Sequence, residues 1–415
     1  MSSTSGSDPS APHVLAEVTR WRRLSTIGPN VLLLGLTSLL TDVSSEMVNA
    51  VLPLYLTQFL RFSPLAFGLF DGVYQGTSAV VRIWGGVIAD RRGRKPIAAL
   101  GYAASAASKI GLVAAGMLWA PVTGLLLLDR LGKGVRTAPR DALIALSSPR
   151  DRWGEAFGIH RAMDTAGALI GPVCAFALLA RAPAAFDAIF AASAAFAAVG
   201  LGVLLFFVED RGGQGEAAPA AAVGLRAATE LLAAPGFRIL VVTGCILSLT
   251  TISDAFIYLV VQRRANLDPS WFPLLPVAMV VSYLALSIPA GRLADRIGRA
   301  RVFLAGYGAL TAAYVLLAWP STRPVAPFLS LPLVGAYYAS TDGVLMAMAS
   351  QTLPAERLTA GLALLTTGTT LGRLLASLLF GAAWSRRGPE DAVLLFLCAL
   401  VAATVVAAFA LRERA

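Results

Sequence analysis

Two acidic residues, Asp42 and Glu46, interrupt a long apolar stretch near the start of the chain. Because they are four residues apart, an α-helix places both on the same face. A helix beginning near residue 29 would carry Asp42 roughly 20 Å along its axis, near the middle of a bilayer. Two neighbouring carboxylates at that depth do not ionise together readily, so one of them can take up and release a proton. The alternative is that fixed salt bridges neutralise both.

Basic residues that can balance these carboxylates occur with helical spacing later in the chain. Arg130, Lys133, Arg136 and Arg140 are separated by three, three and four residues. This spacing gathers them on about a third of a helix circumference. The pattern predicts a positively charged helix face that meets the acidic one.

A third group combines a histidine, an arginine and an aspartate. His160 and Arg161 precede Asp164 by four and three residues, so all three approach one another on a helix. A histidine beside an aspartate can form a proton relay. It can equally form an ion pair on the helix surface, and the spacing favours neither interpretation.

The predicted substrate cavity takes residues from both halves of the chain. Its members are charged residues within apolar stretches and one tyrosine: Lys109, Lys133, Arg136, Arg161, Asp254, Tyr258, Asp342 and Arg373. An ionisable group inside a membrane is costly and indicates function by default. Such groups are concentrated before residue 209. We therefore expect the first half to carry ion coupling and the second to supply mostly aromatic and apolar walls.

The elements that position these residues must be membrane helices. Hydrophobic residues make up 57% of the 415, charged residues only 14%, and mean hydropathy is +0.70. Soluble proteins have about a quarter charged residues, and a membrane helix needs about 20 mostly apolar ones. We predict an all-α polytopic membrane protein with twelve spans, numbered in chain order: 29–57, 65–90, 97–118, 121–146, 154–180, 186–208, 237–262, 272–294, 301–319, 326–352, 359–384 and 390–411.

The spans divide the chain into four parts. We predict a polar cytoplasmic tail (1–28), a six-helix bundle (29–208), a cytoplasmic linker rich in Gly, Ala and charge (209–235), and a second six-helix bundle (236–411). Lys and Arg are concentrated in alternate loops on the side of the tail, which places both termini in the cytoplasm of a cell membrane. The net charge of +10 is explained by these loops and gives no reason to expect nucleic acid.

A loop motif follows the second span of each half. The five residues Gly86, Asp90, Arg91, Gly93 and Arg94 recur 205 positions later as Gly291, Asp295, Arg296, Gly298 and Arg299. The first glycine lets a neighbouring helix approach, the aspartate accepts hydrogen bonds across an interface, and the basic residues keep the loop in water. Such a charged latch is made in one conformation and broken in another, so we interpret it as a gating motif.

This repeated motif, with its twelve spans and central linker, resembles the loop signature of the major facilitator superfamily. The resemblance implies two bundles related by an axis along the membrane normal, a midplane cavity and alternating access by rocking. Arg130 and Gly134 in span 4 are similar to a pattern of proton-coupled members. Gly167 and Gly171 in span 5 are similar to the start of the antiporter motif, although residues 173–176 lack its paired glycines.

The sequence therefore predicts a secondary active transporter, not an enzyme, that moves a small organic solute. We expect proton-coupled efflux, with five coupling residues: Asp42, Glu46, Arg130, His160 and Asp164. Proton-coupled uptake of an anionic metabolite is an alternative, because the basic helix face attracts anions. Divalent metal transport is another, because Asp, Glu and His ligate metals. A membrane enzyme or a sensor that binds without transport also stays open.

The expected partners are the solute, protons and the lipid bilayer, and we expect a monomer. Cys174, Cys245 and Cys398 lie singly in separate spans, which indicates neither a disulfide framework nor a metal cluster. No cofactor and no resident metal are expected.

Overall fold

The computed structural model describes residues 28–210, 231–319, 325–354 and 357–412, with the side chains of 79, 80, 82–87, 90, 91, 359 and 412 excepted. Nearly all of the predicted tail and most of the predicted linker therefore lie outside the described residues. Within them the chain is helical and contains no β-strand. The prediction of an all-α polytopic protein is confirmed.

The described residues form twelve long helical segments, the seventh in two parts, and we number the helices accordingly. The helices of the first half are α1 Pro29–Leu54, α2 Pro64–Arg92, α3 Arg94–Ala115, α4 Trp119–Leu146, α5 Trp153–Arg181 and α6 Phe186–Phe206. Those of the second half are α7a Pro235–Leu249, α7b Asp254–Ala265, α8 Leu275–Ile297, α9 Arg299–Ala318, α10 Ser330–Thr352, α11 Leu358–Arg387 and α12 Pro389–Arg412. Short turns of other helix types occupy Tyr55–Phe59, Arg150–Arg152, Pro269–Leu274 and Ala326–Leu329.

Length and composition suffice for a membrane crossing in nine helical segments of the described chain. The remaining spans, α2, α4 and α10, have 29, 28 and 23 residues and are more polar. Polar residues in a membrane helix face the interior of the bundle or a cavity. These three helices therefore contribute to the polar interior of the protein.

The two halves are built from the same helix pairs. In the first half α1 packs on α5, α2 on α4, and α3 on both α4 and α6. In the second half α7a packs on α11, α8 on α10, and α9 on both α10 and α12, which are the same pairings shifted by six helices. This correspondence shows two pseudo-symmetric six-helix bundles.

Span 7 is broken, although its sequence predicts one continuous helix. Helix α7a ends at Leu249 and α7b begins at Asp254. The hydroxyl of Tyr314, from α9, accepts a hydrogen bond of 2.6 Å from the Ile252 amide and donates one of 3.4 Å to the Thr250 carbonyl. Non-helical backbone at membrane depth needs such partners or a polar cavity. The break is therefore braced by a neighbouring helix.

The halves meet at one end of the molecule. We call the end that carries the 2–3 and 8–9 loops the loop end, and the other the sealed end. At the sealed end, Gln58 donates to Gln262 at 3.3 Å, and the rings of Phe67 and Phe256 lie 5.0 Å apart. The amide of Leu65 also donates to Ser385 at 3.0 Å. These contacts close the space between the halves at the sealed end.

The second glycine of each loop motif forms the turn between two helices. Gly93 separates α2 from α3 with φ of 93°, and Gly298 separates α8 from α9 with φ of 102°. A side chain strains the backbone at such angles. The spacing of the repeated motif thus reflects a tight turn in each half.

Replacing Gly298 by alanine should lower the free energy of unfolding by about 1–3 kcal/mol, because alanine is strained at this φ. The thermal unfolding midpoint of purified protein measures this loss. Gly308→Ala is the matched control, since Gly308 lies inside α9 and a Cβ there has open space. A Gly298→Ala midpoint at or above that of the unmodified protein would show that the turn tolerates a side chain.

Candidate functional site

The acidic face of α1 packs closely against α5. A Cβ on Gly167 would lie 2.7 Å from the Leu39 carbonyl oxygen, and one on Gly171 would lie 2.8 Å from that of Val43. Any larger side chain at these two positions would push the helices apart. The two glycines of the fifth-helix pattern therefore bring α5 against the turns of α1 that carry Asp42 and Glu46.

Asp42 lies between a buried guanidinium and a second carboxylate. Its oxygen is 3.9 Å from Arg136, whose side chain is only 2% exposed. Arg136 is held by a 2.9 Å hydrogen bond to Ser105 and by the ring of Tyr102, 4.6 Å from its guanidinium carbon. Asp164 of α5 lies beside Asp42. The site thus places Asp42 between a rigidly positioned arginine, Arg136, and a second carboxylate, Asp164.

His160 and Asp164 are brought together as their spacing predicts. His160 Nε2 lies 3.8 Å from Asp164 and 2.9 Å from the Ser38 hydroxyl. Arg140 of α4 is 3.8 Å from the same Asp164 oxygen and donates to Ser38 at 3.3 Å. Histidine, serine, arginine and aspartate therefore form one connected polar group that joins α1, α4 and α5.

Glu46 belongs to a second connected group. Asn49 donates to it at 3.1 Å, and Lys133 lies 3.9 Å away. Arg130 and the Tyr74 hydroxyl both donate to the other end of Asn49, at 3.1 and 2.6 Å. The guanidinium of Arg130 also lies 4.0 Å above the Tyr74 ring. Arg130 thus reaches Glu46 through Asn49 and not by a direct ion pair.

Several residues predicted to line the cavity lie elsewhere. Lys109 is 1% exposed and forms a 2.8 Å ion pair with Asp129 between α3 and α4, so it is a buried structural residue. Tyr258 is also buried, and its hydroxyl points to Met279. Arg136 is buried behind Asp42. In this structure all three side chains are buried by packing, and none of them is exposed to open space.

The remaining predicted cavity residues are more open. The side chains of Lys133, Asp342 and Arg373 are 33%, 51% and 43% exposed. Arg373 lies 3.6 Å from Asp342 and 5.5 Å from the Tyr338 ring centroid. Arg161 is exposed and makes no ion pair within the described part of the chain. These four charged side chains are therefore accessible to solvent in this structure.

A smaller cavity of about 200 Å³ lies beside the break in span 7. The sequence points to Asp254 here, which accepts a 2.9 Å hydrogen bond from Tyr338. Asp71 is not among the predicted site residues, although it is a charged residue inside a predicted span. Asp71 is 4% exposed and accepts a 2.7 Å hydrogen bond from Ser377, 306 positions away. The charge of Asp71 inside span 2 could have identified it, whereas nothing in the sequence distinguishes Ser377 from other serines in membrane helices.

Only some residues of the second loop motif make the contacts expected of a latch. Arg299 lies 3.3 Å from Asp295 and donates to the Ala347 carbonyl of α10 at 3.1 Å. Arg296 is exposed, and no atom outside its own helix approaches the Cβ position of Gly291. Gly291 thus makes no close helix contact of the kind expected. In the first copy Gly93 forms the turn and Arg94 is half-buried.

Gly86, Asp90 and Arg91 of the first copy lie outside the residues whose surroundings the structure describes.

Comparison with known proteins gives consistent matches. The family profile described as Major Facilitator Superfamily matches residues 34–281 and 255–415. An uncharacterised MFS-type transporter of Methanocaldococcus jannaschii is 32% identical over 287 residues, which cover 68% of this chain and 70% of the relative. The multidrug resistance protein MdtG of Escherichia coli is 31% identical over 164 residues, 37% of this chain and 36% of MdtG. The solved nucleoside transporter NupG superimposes with a TM-score of 0.79 at 14% identity, covering 92% of this chain and 98% of NupG.

Proposed function

We propose, from the premise that this chain belongs to the Major Facilitator Superfamily, that it is a proton-coupled exporter of a small organic solute. The chain is a multi-pass membrane transporter and not an enzyme. Coupling to protons and the direction of transport are our proposals. They rest chiefly on one observation, the group of Asp42, Asp164, Arg136 and Arg140 at the junction of α1, α4 and α5.

The arrangement of this group suits a proton carrier. Arg136 lies 3.9 Å from Asp42, and Arg140 lies 3.8 Å from Asp164 while it pairs more closely, at 2.9 Å, with Asp141, so both ion pairs to the coupling carboxylates are loose. When one carboxylate takes up a proton, its attraction to the arginine is lost and the helices are free to shift. We propose that protonation alternates with solute binding here, with His160 and Ser38 linking the group towards the loop end.

Export agrees better than anion uptake with the charges on the cavity wall. The uptake alternative needs basic side chains that face the solute. Lys109 and Arg136 are buried, and Arg130 is occupied by Asn49 and Tyr74. The exposed Lys133 and Arg373 each lie within 4 Å of a carboxylate, so Arg161 is the one predicted basic cavity residue that is exposed and has no ion pair within the described part of the chain. Partial similarity to MdtG, a multidrug resistance protein, also supports export.

Orientation follows from the positive loops. We propose that the loop end and both termini face the cytoplasm of a cell membrane, because Lys and Arg are concentrated in those loops. The structure then corresponds to a state open to the cytoplasm and sealed on the outside. We further propose that one chain suffices for transport, since the cavity is formed by the two halves of a single chain.

Flux measurements in proteoliposomes test the proposal. A thermal-shift screen of cationic, neutral and anionic solutes identifies a ligand by its stabilising effect. Uptake of that ligand into vesicles that are acidic inside should then exceed uptake without a gradient. A proton-coupled exporter exchanges solute for protons, so protons that leave the vesicle drive solute into it. Vesicles without protein and vesicles treated with a protonophore are the controls. A ligand that binds but is never transported under any gradient would indicate a sensor instead.

A further inference from the structure

The cavity beside the break in span 7 is formed by both halves of the protein. Asp71 and Gln75 enter it from α2, whereas Ser253 and Asp254 come from the break and the start of α7b. Tyr338 of α10 and residues 370 and 373 of α11 complete its walls. Its volume of about 200 Å³ exceeds the ~30 Å³ that one water occupies in the liquid several times. It therefore has room for a small ligand together with water.

Asp71 is a buried carboxylate that only neutral hydrogen-bond donors of the described residues approach, namely Ser377, Ser253 and Gln75. It is 4% exposed, and the Ser377 hydroxyl donates to it at 2.7 Å across the interface between the halves. Among the described side chains, no lysine, arginine or histidine lies within ion-pair distance of it. A buried carboxylate without a cationic partner is expensive while it is ionised. Its position therefore favours an added positive charge.

Asp254 is the corresponding carboxylate of the second half. It accepts its hydrogen bond from the Tyr338 hydroxyl, and it too has no ion pair within the described residues. Arg373 also lines the cavity, but its guanidinium lies 3.6 Å from Asp342, which takes up its charge. Thus neither cavity carboxylate forms an ion pair within the described residues, although Arg130 and Arg373 act on them from a greater distance.

The remaining wall is rich in oxygen. The Ser253 hydroxyl is shielded from solvent and lacks a well-formed hydrogen bond, and hydroxyls at 251 and 370 and the Gln75 amide are also present. Carboxylate, hydroxyl and carbonyl oxygens suit small hard cations, whereas sulfur and imidazole ligands are missing from this wall. We propose that Asp71 and Asp254 together bind one monovalent cation, a proton or Na⁺, which holds the two halves together at the sealed end.

The bound cation has a mechanical consequence. When it is present, the carboxylates of α2 and α7b face each other without repulsion, and the Ser377 hydrogen bond keeps α2 against α11. When it leaves, two negative charges remain in a poorly hydrated interface, and water entering from the sealed end stabilises them. Loss of the cation therefore favours opening of the sealed end.

Other charged or titratable groups surround this site. They lie on α1, α2, α4, α10 and α11 and are Glu46, Tyr74, Arg130, Tyr338, Asp342 and Arg373. Arg130 contacts Asn49 and Tyr74, and Arg373 is paired with Asp342. Variants of Asp71 and of Asp254 are therefore needed to show that a response of the sealed end to cations comes from these two carboxylates and not from their neighbours.

The test measures the distance across the sealed end without any transported solute. Cysteines replace Met117 and Val325, both 63% exposed in the 3–4 and 9–10 loops, after the three native cysteines are changed to serine. Resonance energy transfer between attached dyes is recorded at acid and alkaline pH, in NaCl or choline chloride. Acid pH should shorten the distance if the ligand is a proton. NaCl at constant alkaline pH should shorten it if the ligand is Na⁺.

Both Asp71→Asn and Asp254→Asn should abolish this response, whereas Asp71→Glu should retain it in part. Asp187→Asn, which removes an exposed carboxylate at the sealed end, should respond like the parent protein. Thermal unfolding establishes that each variant is folded. A parent distance that is insensitive to both pH and Na⁺, or folded asparagine variants with the parent response, would overturn the proposal.

The inference rests on the alternating-access part of the proposed function alone. Because no solute is used, failure of proton-driven flux and failure of this cation site give separate results.

Discussion

Asp42→Asn is expected to abolish the stimulation of flux by a pH gradient while solute exchange without a gradient continues. The reason is that Asp42 is 14% exposed and lies against Arg136 and Asp164, where loss of its charge removes the alternation between protonated and ion-paired states. Gradient-driven and equilibrium exchange flux are measured in the same proteoliposomes. The asparagine keeps the size of the side chain and hence the close packing of α1 on α5.

Two companion variants sharpen this result. Glu46→Gln should have a weaker effect, because Glu46 is twice as exposed at 28% and its partner Lys133 is one-third exposed. Water therefore screens that charge more strongly. Asp151→Asn, in the exposed 4–5 loop, should transport like the parent. Gradient stimulation that survives in Asp42→Asn would remove this residue from the coupling group.

The architecture was accessible from the sequence because lipid imposes strict demands on a chain. A membrane crossing requires a helix of about 20 mostly apolar residues. The spans can therefore be located from hydropathy and from the polar, glycine and proline residues between them. Side chains four residues apart share a helix face wherever that helix lies. The approach of His160 to Asp164 follows from that geometry alone.

Contacts between distant helices were not accessible in the same way. The break in span 7 contains Thr250, Thr251, Ile252 and Ser253, with neither glycine nor proline to indicate it. It depends on a hydroxyl from Tyr314, 62 residues further along the chain than Ile252. No local pattern encodes such a partner.

Burial of individual charges was equally hidden. Lys109 and Arg136 both occur in apolar stretches, and periodicity does not distinguish a charge that faces a cavity from one that is paired inside a bundle. The partner decides, and Asp129 satisfies Lys109 on a helix whose rotation follows from packing. The sequence also contains no indication that Asp71 of the first half and Asp254 of the second line one cavity, since that cavity exists only when both halves are assembled.

Replacement of Gly68 by valine is expected to prevent closure of the sealed end and to abolish transport. A Cβ on Gly68 would overlap the Ser377 carbonyl oxygen and lie 3.3 Å from the Gly381 Cα, so α2 and α11 touch through glycines on both sides. Backbone atoms cannot move aside as a flexible side chain does, and overpacking of this kind costs about 1–3 kcal/mol. The same dye pair on residues 117 and 325 should report a longer distance under all conditions.

Gly202→Val separates this effect from the general cost of valine in a membrane helix. Gly202 lies in α6, and a Cβ there meets no atom within 4 Å. Its variant should close and transport like the parent, whereas Gly381→Val should behave like Gly68→Val, because a Cβ at Gly381 would overlap the Pro64 carbonyl oxygen. A Gly68→Val protein that transports at the parent rate would mean that α2 and α11 do not need to approach this closely during the cycle. The site at Asp71 would then lose its structural basis as well, since its hydrogen bond to Ser377 depends on that approach.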